Sequence, residues 1–109
     1  MMRFELYKGS AGTYYYRLIG DFFRFILMKE CYLKKETALE DIETVKRKLS
    51  SQSNIEINKT IRGDYYFDVK NDEGRIVGSS CLFKTVQALR EKLCYIKLKI
   101  SNTPLIEKF

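Results

Sequence analysis

Short runs that alternate apolar and polar residues, each followed by a turn, dominate the first half of the chain. Such alternation is typical of strands that bury one face, and the aromatic residues of the second run suit a pleated sheet. A helix is predicted next, because apolar residues recur there at intervals of four, three and four and so form one stripe. The predicted strands are residues 4–8, 14–19 and 22–28, and the predicted helix is residues 35–49, with its stripe at Ala38, Ile42, Val45 and Leu49.

The second half repeats this pattern at a fixed offset of 51 residues, the separation of Phe4 from Ile55. The offset holds through apolar, turn and charged positions, which indicates two copies of one folding unit. Thr85 is the predicted N-cap of the second helix, and Pro104 ends that helix. The predicted elements of this half are strands at 55–59, 65–70 and 75–79, a helix between Thr85 and Pro104, and a final segment, 105–109, that is compatible with one more short strand.

These elements predict an α+β fold. Two tandem β-β-β-α(-β) repeats, residues 3–50 and 55–109, are expected to form one antiparallel sheet with two helices packed on one face and a pseudo-two-fold axis between the repeats. We expect residues 1–109 to be a single domain, because a separate unit of roughly 50 residues buries too little surface to be stable.

Composition favours a packed globule, since the chain is 45% apolar and 14% aromatic. Its net charge of +6 is spread over both halves, which favours a role in solubility over a dedicated polyanion-binding stripe. No apolar run approaches the ~20 residues that cross a bilayer, and the N-terminus has no signal-peptide core, so we expect no membrane contact and a cytoplasmic location. Cys31, Cys81 and Cys94 lack metal-ligand spacing, and most of them are expected to be small buried apolar residues.

The absence of histidine removes several kinds of chemistry. It excludes Ser-His-Asp and Cys-His catalysis and histidine-containing zinc sites. No Walker A sequence occurs either. No catalytic, cofactor-binding or metal-binding residue is therefore assigned, and we expect the protein not to be an enzyme and to need no cofactor.

A set of aromatic and basic residues on the sheet face opposite the helices is the candidate interaction surface. Such a face can stack bases and hold phosphates. The same residue types are also typical of cross-strand packing, which here would include an attraction between Arg17 and Asp68. The candidate surface consists of Tyr7, Tyr15, Arg17, Tyr66 and Lys70.

Both copies carry related turn and core motifs. Gly12-Thr13-Tyr14-Tyr15-Tyr16 matches Gly63-Asp64-Tyr65-Tyr66-Phe67, and the second copy continues with Asn71-Asp72-Glu73-Gly74-Arg75-Ile76-Val77 and Thr85. On these motifs the chain resembles the YegP-like family, small bacterial and archaeal proteins of unknown function. The resemblance implies a β-β-β-α-β unit used twice, one continuous sheet and exchanged C-terminal strands, and it carries over no catalytic residue. The first copy departs from the pattern at residues 20–24, where the polar turn is replaced by Gly-Asp-Phe-Phe-Arg.

Three functions from different classes are compatible with these observations. The first is a small non-enzymatic binding module that uses its sheet face or an edge strand to contact a protein partner. The alternative is nucleic-acid binding through the basic, tyrosine-bearing face, and the second alternative is a small-molecule enzyme that works without histidine. The chain is expected to be a monomer that contains an internal pseudo-dimer, or a weak homodimer in which Phe22 and Phe23 are candidate contacts.

Overall fold

Seven strands, two α-helices and two short 3-10 turns make up the structure, a computed structural model that describes residues 1–109 apart from the side chain of Phe23. The strands are β1 (Arg3–Lys8), β2 (Tyr14–Ile19), β3 (Phe25–Tyr32), β4 (Ile55–Lys59), β5 (Tyr65–Lys70), β6 (Ile76–Ser80) and β7 (Leu105–Glu107). The helices are α1 (Lys35–Ser51) and α2 (Val86–Lys99), and the 3-10 turns span Asp21–Phe23 and Ile100–Asn102.

All seven strands belong to one sheet, in the order β4-β5-β6-β3-β2-β1-β7. Every neighbouring pair is antiparallel except β1 and β7, which are parallel. The sheet is therefore mixed, and the prediction of a wholly antiparallel sheet was wrong in this respect. Only strands joined by a hairpin must pair antiparallel. Because β7 follows a helix, its direction was not fixed by the alternation pattern.

The β2–β3 connection also differs from the prediction. Residues 21–23 form a 3-10 turn instead of starting the third strand, and Phe22 adopts a left-handed conformation with φ of 60°. A backbone bond of 2.7 Å from the Gly20 N–H to the Arg24 carbonyl closes the turn, so β3 starts later than expected. Phe22 is almost fully exposed. The side chain of Phe23, the other candidate contact, lies outside the described residues.

Both helices pack against one face of the sheet and form the core with it. The predicted apolar stripe of α1 is confirmed, since all four of its residues are buried. Thr85 caps α2 as predicted, with its Oγ1 accepting from the Ala88 N–H at 3.0 Å. The residues of the sheet and of α2 that fill this core include Phe4, Leu6, Tyr16, Leu18, Phe67, Val69, Leu89, Leu93 and Ile96.

A buried carboxylate joins α1 to β3 and to the β5–β6 turn. Asp41 of α1 is buried, and its Oδ2 accepts a 2.6 Å hydrogen bond from the Tyr32 hydroxyl. The Arg75 guanidinium reaches the same carboxylate at 3.2 and 3.4 Å. Burial, together with this hydrogen bond, raises the pKa of Tyr32, so the hydroxyl keeps its proton and remains a donor.

The contact between β3 and β6 depends on a glycine. A Cβ at Gly78 would lie 2.6 Å from the Tyr16 hydroxyl oxygen and would also overlap Leu27. The Tyr16 hydroxyl donates a hydrogen bond to the Val77 carbonyl. A side chain at position 78 would therefore force Leu27 or Tyr16 to shift at the centre of the sheet.

Candidate functional site

One edge of the sheet, strand β4, has backbone groups that point away from it. The 2.7 Å bond from the Thr60 N–H to the Asp64 carbonyl and the 2.9 Å bond from the Lys70 N–H to the Asn54 carbonyl fix which residues bond to β5. Bonded and non-bonded pairs alternate in an antiparallel ladder. The residues whose N–H and C=O groups point outward are therefore Ile55, Ile57 and Lys59. No strand of the described chain pairs with this side of β4.

The corresponding groups of β1 are covered by β7. The Phe4 N–H donates to the Pro104 carbonyl, and the Lys108 N–H donates to the Leu6 carbonyl, both at 2.8 Å. Phe4 and Leu6 are fully buried. At the offset of 51 residues they correspond to Ile55 and Ile57, which are only partly buried. Strand β1 thus has a covering strand on its outer side, and strand β4 does not.

Side chains as well as backbone hold β7 in place. Glu107 forms an ion pair with Lys35 at the start of α1, and Lys108 lies 3.8 Å from the Glu5 carboxylate. The ring of Phe109 packs edge-on against Tyr14 with centroids 5.8 Å apart. The helix side of residues 105–109, which include β7, therefore carries an apolar, an acidic and an aromatic residue in turn, at positions 105, 107 and 109.

Three of the five predicted surface residues lie together on the open face of β1 and β2. The rings of Tyr7 and Tyr15 are stacked, with centroids 4.9 Å apart and planes 10° from parallel. The Arg17 guanidinium lies 5.7 Å from the first ring centroid and 5.5 Å from the second. The Tyr7 hydroxyl donates to Glu5, which together with burial raises the pKa of Tyr7.

The other two predicted residues, Tyr66 and Lys70, lie on β5, with β6 and β3 between them and this cluster. Three strand spacings correspond to about 14 Å, so the predicted attraction between Arg17 and Asp68 was wrong. Asp68 instead accepts hydrogen bonds from Ser79 at 2.6 Å and Asn58 at 3.0 Å. The predicted residues share a face, but they form two groups on it.

Acidic groups offset the positive charge of the open face. Glu5 is buried, and it accepts hydrogen bonds from Arg3 at 2.6 Å and from Tyr7. Burial raises the pKa of Glu5, but these bonds outweigh it and leave the pKa below its usual value. Lys70 is paired with Glu56 at 3.1 Å. The face therefore presents balanced charge rather than a basic stripe.

Other chemistry-bearing groups do not assemble into a site. Among the described residues no three acidic or cysteine side chains converge as metal ligands. A cleft of about 460 Å³ beside the start of α1 is lined by Lys29, Cys31 and Arg75, among others. Cys31 and Cys94 are exposed, and Cys81 is half-buried, so the expectation of buried cysteines was wrong. Burial raises the pKa of Cys81.

The open β4 edge was not assigned from the sequence. The sequence offset of 51 residues places Ile55 and Ile57 on Phe4 and Leu6, which was a usable signal. This signal could not reveal the open edge, because the alternation of apolar and polar residues in a strand does not determine which strand lies next to it.

Neither helix in the described chain is long and apolar enough to span a membrane.

These features define a small α+β domain with one mixed seven-stranded sheet and two helices on one side. UPF0339 protein PA0329 of Pseudomonas aeruginosa is 30% identical over 81 residues, or 74% of each chain. UPF0339 protein YegP of Escherichia coli is 28% identical over 94 residues, or 86% of each chain. No protein-family model matches the chain. The chain belongs to the UPF0339 family, and the predicted resemblance to YegP is confirmed.

Two solved structures have the same fold. The solution structure of YegP from E. coli, a protein of unknown function, gives a TM-score of 0.88 at 24% identity and covers 98% of this chain and 92% of its own. The solution structure of UPF0339 protein SO3888 from Shewanella oneidensis gives 0.88 at 21% identity, covering 97% and 90%. At these identities the likeness establishes the fold.

Proposed function

We propose that the protein is a non-enzymatic interaction module that binds an extended segment of a partner protein along the open edge of β4. The observation that carries this proposal is the set of outward N–H and C=O groups at Ile55, Ile57 and Lys59. Edge strands of this kind are templates for strand addition, in which backbone hydrogen bonds provide affinity and side-chain contacts provide specificity.

We further infer that the two halves are repeats of one unit, related by a pseudo-two-fold axis between β3 and β6. The strand order supports this inference, because β4-β5-β6 on one side corresponds to β1-β2-β3 on the other. Under this relation β7 covers β1, whereas β4 lacks its equivalent strand. The outer edge of β7 is a less suitable template, since that strand has only three residues and follows Pro104.

A selection experiment tests the function without a known partner. A display library of random nonapeptides is panned on the wild-type protein and then depleted on Ile57→Pro, which removes one outward N–H and no bond to β5. Ile57→Val retains the N–H and is the matched control. Peptides that bind the wild type and the valine variant but not the proline variant are expected. If no such peptides are enriched while the melting curve of Ile57→Pro shows a folded protein, the function is wrong.

Two further proposals concern state and location. We propose that the free protein is monomeric, because both repeats lie in one chain and share one core. Static light scattering over a range of concentrations tests this, and a dimer would contradict it. We also propose a cytoplasmic location, which the three free thiols support, since reducing compartments keep cysteines unpaired.

Single-stranded nucleic acid is a second candidate ligand, favoured by the stacked pair Tyr7 and Tyr15 under Arg17. Aromatic platforms beside a basic group bind bases by stacking. Fluorescence anisotropy with labelled oligonucleotides, at low and physiological salt, measures this binding. Arg17→Ala should weaken it, whereas Lys70→Ala, on the separate β5 group, should not. No binding at low salt would remove this candidate.

A further inference from the structure

The strand that would cover β4 can be described from the strand that covers β1. We infer that the bound segment runs parallel to β4 and carries apolar residues at two alternate positions on the helix side, then a basic residue, then an aromatic one. This inference rests on the proposed function and on the proposed repeat. The bound segment should resemble residues 105–109, except where the surroundings of β4 differ from those of β1.

The orientation follows from the backbone. Strand β7 runs parallel to β1 and bonds to the outward groups of Phe4 and Leu6. Ile55 and Ile57 occupy the same two positions at the offset of 51 residues, with their N–H and C=O groups directed outward. A parallel ladder has evenly spaced, slanted bonds. A segment that runs parallel to β4 would therefore form the same ladder that β7 forms on β1.

The helix-side positions determine which side chains are selected. Leu105 pairs with Phe4 in the β1–β7 register, and an apolar residue in its place would contact Ile55. At the next helix-side position Glu107 is paired with Lys35. The residue that corresponds to Lys35 is Val86, which is half-buried at the start of α2. Val86 supplies no cation at the position of Lys35, and the cation in the same groove, Arg90, lies one turn further along α2. An apolar residue that packs against Val86 should therefore be favoured here over a carboxylate.

The outer side of the segment should carry a cation. Lys108 lies 3.8 Å from the buried Glu5 carboxylate on the β1 side. The residue of β4 that corresponds to Glu5 is Glu56. The Glu56 side chain is 53% exposed, and Lys70 is its only ion-pair partner in the described structure. A carboxylate can accept hydrogen bonds from two cations. A lysine or arginine of the partner should therefore share Glu56 with Lys70.

The last position should be aromatic. Phe109 packs edge-on against Tyr14, and the residue that corresponds to Tyr14 is Tyr65. The Tyr65 ring is half-buried, with the Lys59 ammonium 5.6 Å from its centroid. An aromatic residue placed there would gain an edge-to-face contact of the kind seen on the other edge. The predicted pattern is thus apolar, any residue, apolar, basic, aromatic.

Two synthetic peptides test the pattern against the full-length protein. Both have the sequence of residues 101–109, and one carries Glu107→Leu, which converts β7 into the predicted ligand. Backbone amide shifts in the NMR spectrum of the ¹⁵N-labelled protein report the position and strength of binding. The Glu107→Leu peptide should shift the amides of β4, and the unchanged peptide should bind at least about tenfold more weakly.

A variant of the protein reverses this preference. Val86→Lys places a lysine where the β1 side has Lys35, so it should favour the unchanged peptide over the Glu107→Leu peptide. Val86 is only partly buried, so the variant should fold, and its melting curve checks this. A spin label on the peptide N-terminus reads the direction: broadening near Ile55 indicates a parallel segment, and broadening near Lys59 indicates an antiparallel one.

The possible results distinguish the predicted ligand pattern from the proposed function on which it rests. Shifts at β4 with broadening near Ile55, and a preference that Val86→Lys reverses, support the inference. Antiparallel binding, or a preference that does not depend on residue 86, overturns the inference and leaves the function standing. The same holds if panned peptides bind β4 and the Glu107→Leu peptide does not. If the panned peptides also leave β4 unchanged, the proposed function fails.

Discussion

Replacing Asp41 by alanine should lower the free energy of unfolding by about 2–4 kcal/mol, most of it through Tyr32. The 2.6 Å bond from the Tyr32 hydroxyl to Asp41 is buried, and a hydrogen bond to a charged group contributes about 1.5–3 kcal/mol. Arg75 contacts the same carboxylate at 3.2 Å, but its side chain is 52% exposed. An ion pair in which one partner is solvated adds about 0.2–1 kcal/mol. The Tyr32 contact should therefore contribute more to the free energy of unfolding than the Arg75 contact.

Urea denaturation followed by circular dichroism separates these two contributions. Tyr32→Phe should cost about 1.5–3 kcal/mol, and Arg75→Gln, the matched control on the same carboxylate, less than about 1 kcal/mol. High salt should reduce only the Arg75 contribution, because the exposed pair is screened and the buried bond is not. The double variant of Asp41→Ala with Tyr32→Phe should cost less than the sum of the single variants. Equal costs for Tyr32→Phe and Arg75→Gln would refute this reasoning.

Backbone packing, acid stability and thiol reactivity offer three more tests. Gly78→Ala should lower the free energy of unfolding by about 1–3 kcal/mol through overpacking. In the control Gly9→Ala the new Cβ would meet its nearest atom at 3.6 Å, so the change should be less than ~0.5 kcal/mol. Equal effects in urea denaturation would contradict the predicted clash at Gly78. The pKa of Glu5 is lowered in the fold from its ordinary value of 4.5, so its contribution is present above pH 4.5 and is lost as the pH falls through the lower folded value. Glu5→Gln should therefore lose less stability than the wild type below pH 4.5 in denaturation series, and identical slopes would refute this. Alkylation followed by mass spectrometry should show that Cys31 and Cys94, which are exposed, are labelled before Cys81. The raised pKa of Cys81 leaves less of the reactive thiolate. Early labelling of Cys81 would contradict this order.

The helices and most of the strands were predictable because each carries its own period. The stripe of α1 could be read directly from residues 38–49, and all four of its members are buried. The start of β3 could not be predicted in this way, because the run that begins at Phe22 is apolar whether its first residues form a strand or a turn. Only the backbone bond between Gly20 and Arg24 makes residues 21–23 a turn. A three-residue strand such as β7 has too few residues to display a period, so neither its partner nor its direction could be derived.

The candidate surface illustrates a different limit. Alternation assigned Tyr15, Arg17 and Tyr66 to the face opposite the helices, and the structure places them on that face. Alternation contains no information on strand order, which is set by packing between distant parts of the chain. For this reason the separation of Tyr66 and Lys70 from the other residues by β6 and β3 was not predicted.

The difference between the two edges can be traced to how a tandem chain uses its strands. In the repeat that we propose, the strand that follows a helix covers the first strand of the other half, as β7 after α2 covers β1. The strand that follows α1 is β4, and it is already the first strand of the second half, paired with β5. One strand cannot take both positions, so a chain of two units has seven strands and leaves the outer side of β4 without the strand that β1 has. That edge retains apolar residues at Ile55 and Ile57 and carries no proline. Its one charge on the helix side, Lys59, is at the last position of the strand. In the function that we propose, the single vacancy beside β4 would bind one segment per chain, and this stoichiometry distinguishes a binding module from a protein that assembles through both of its edges.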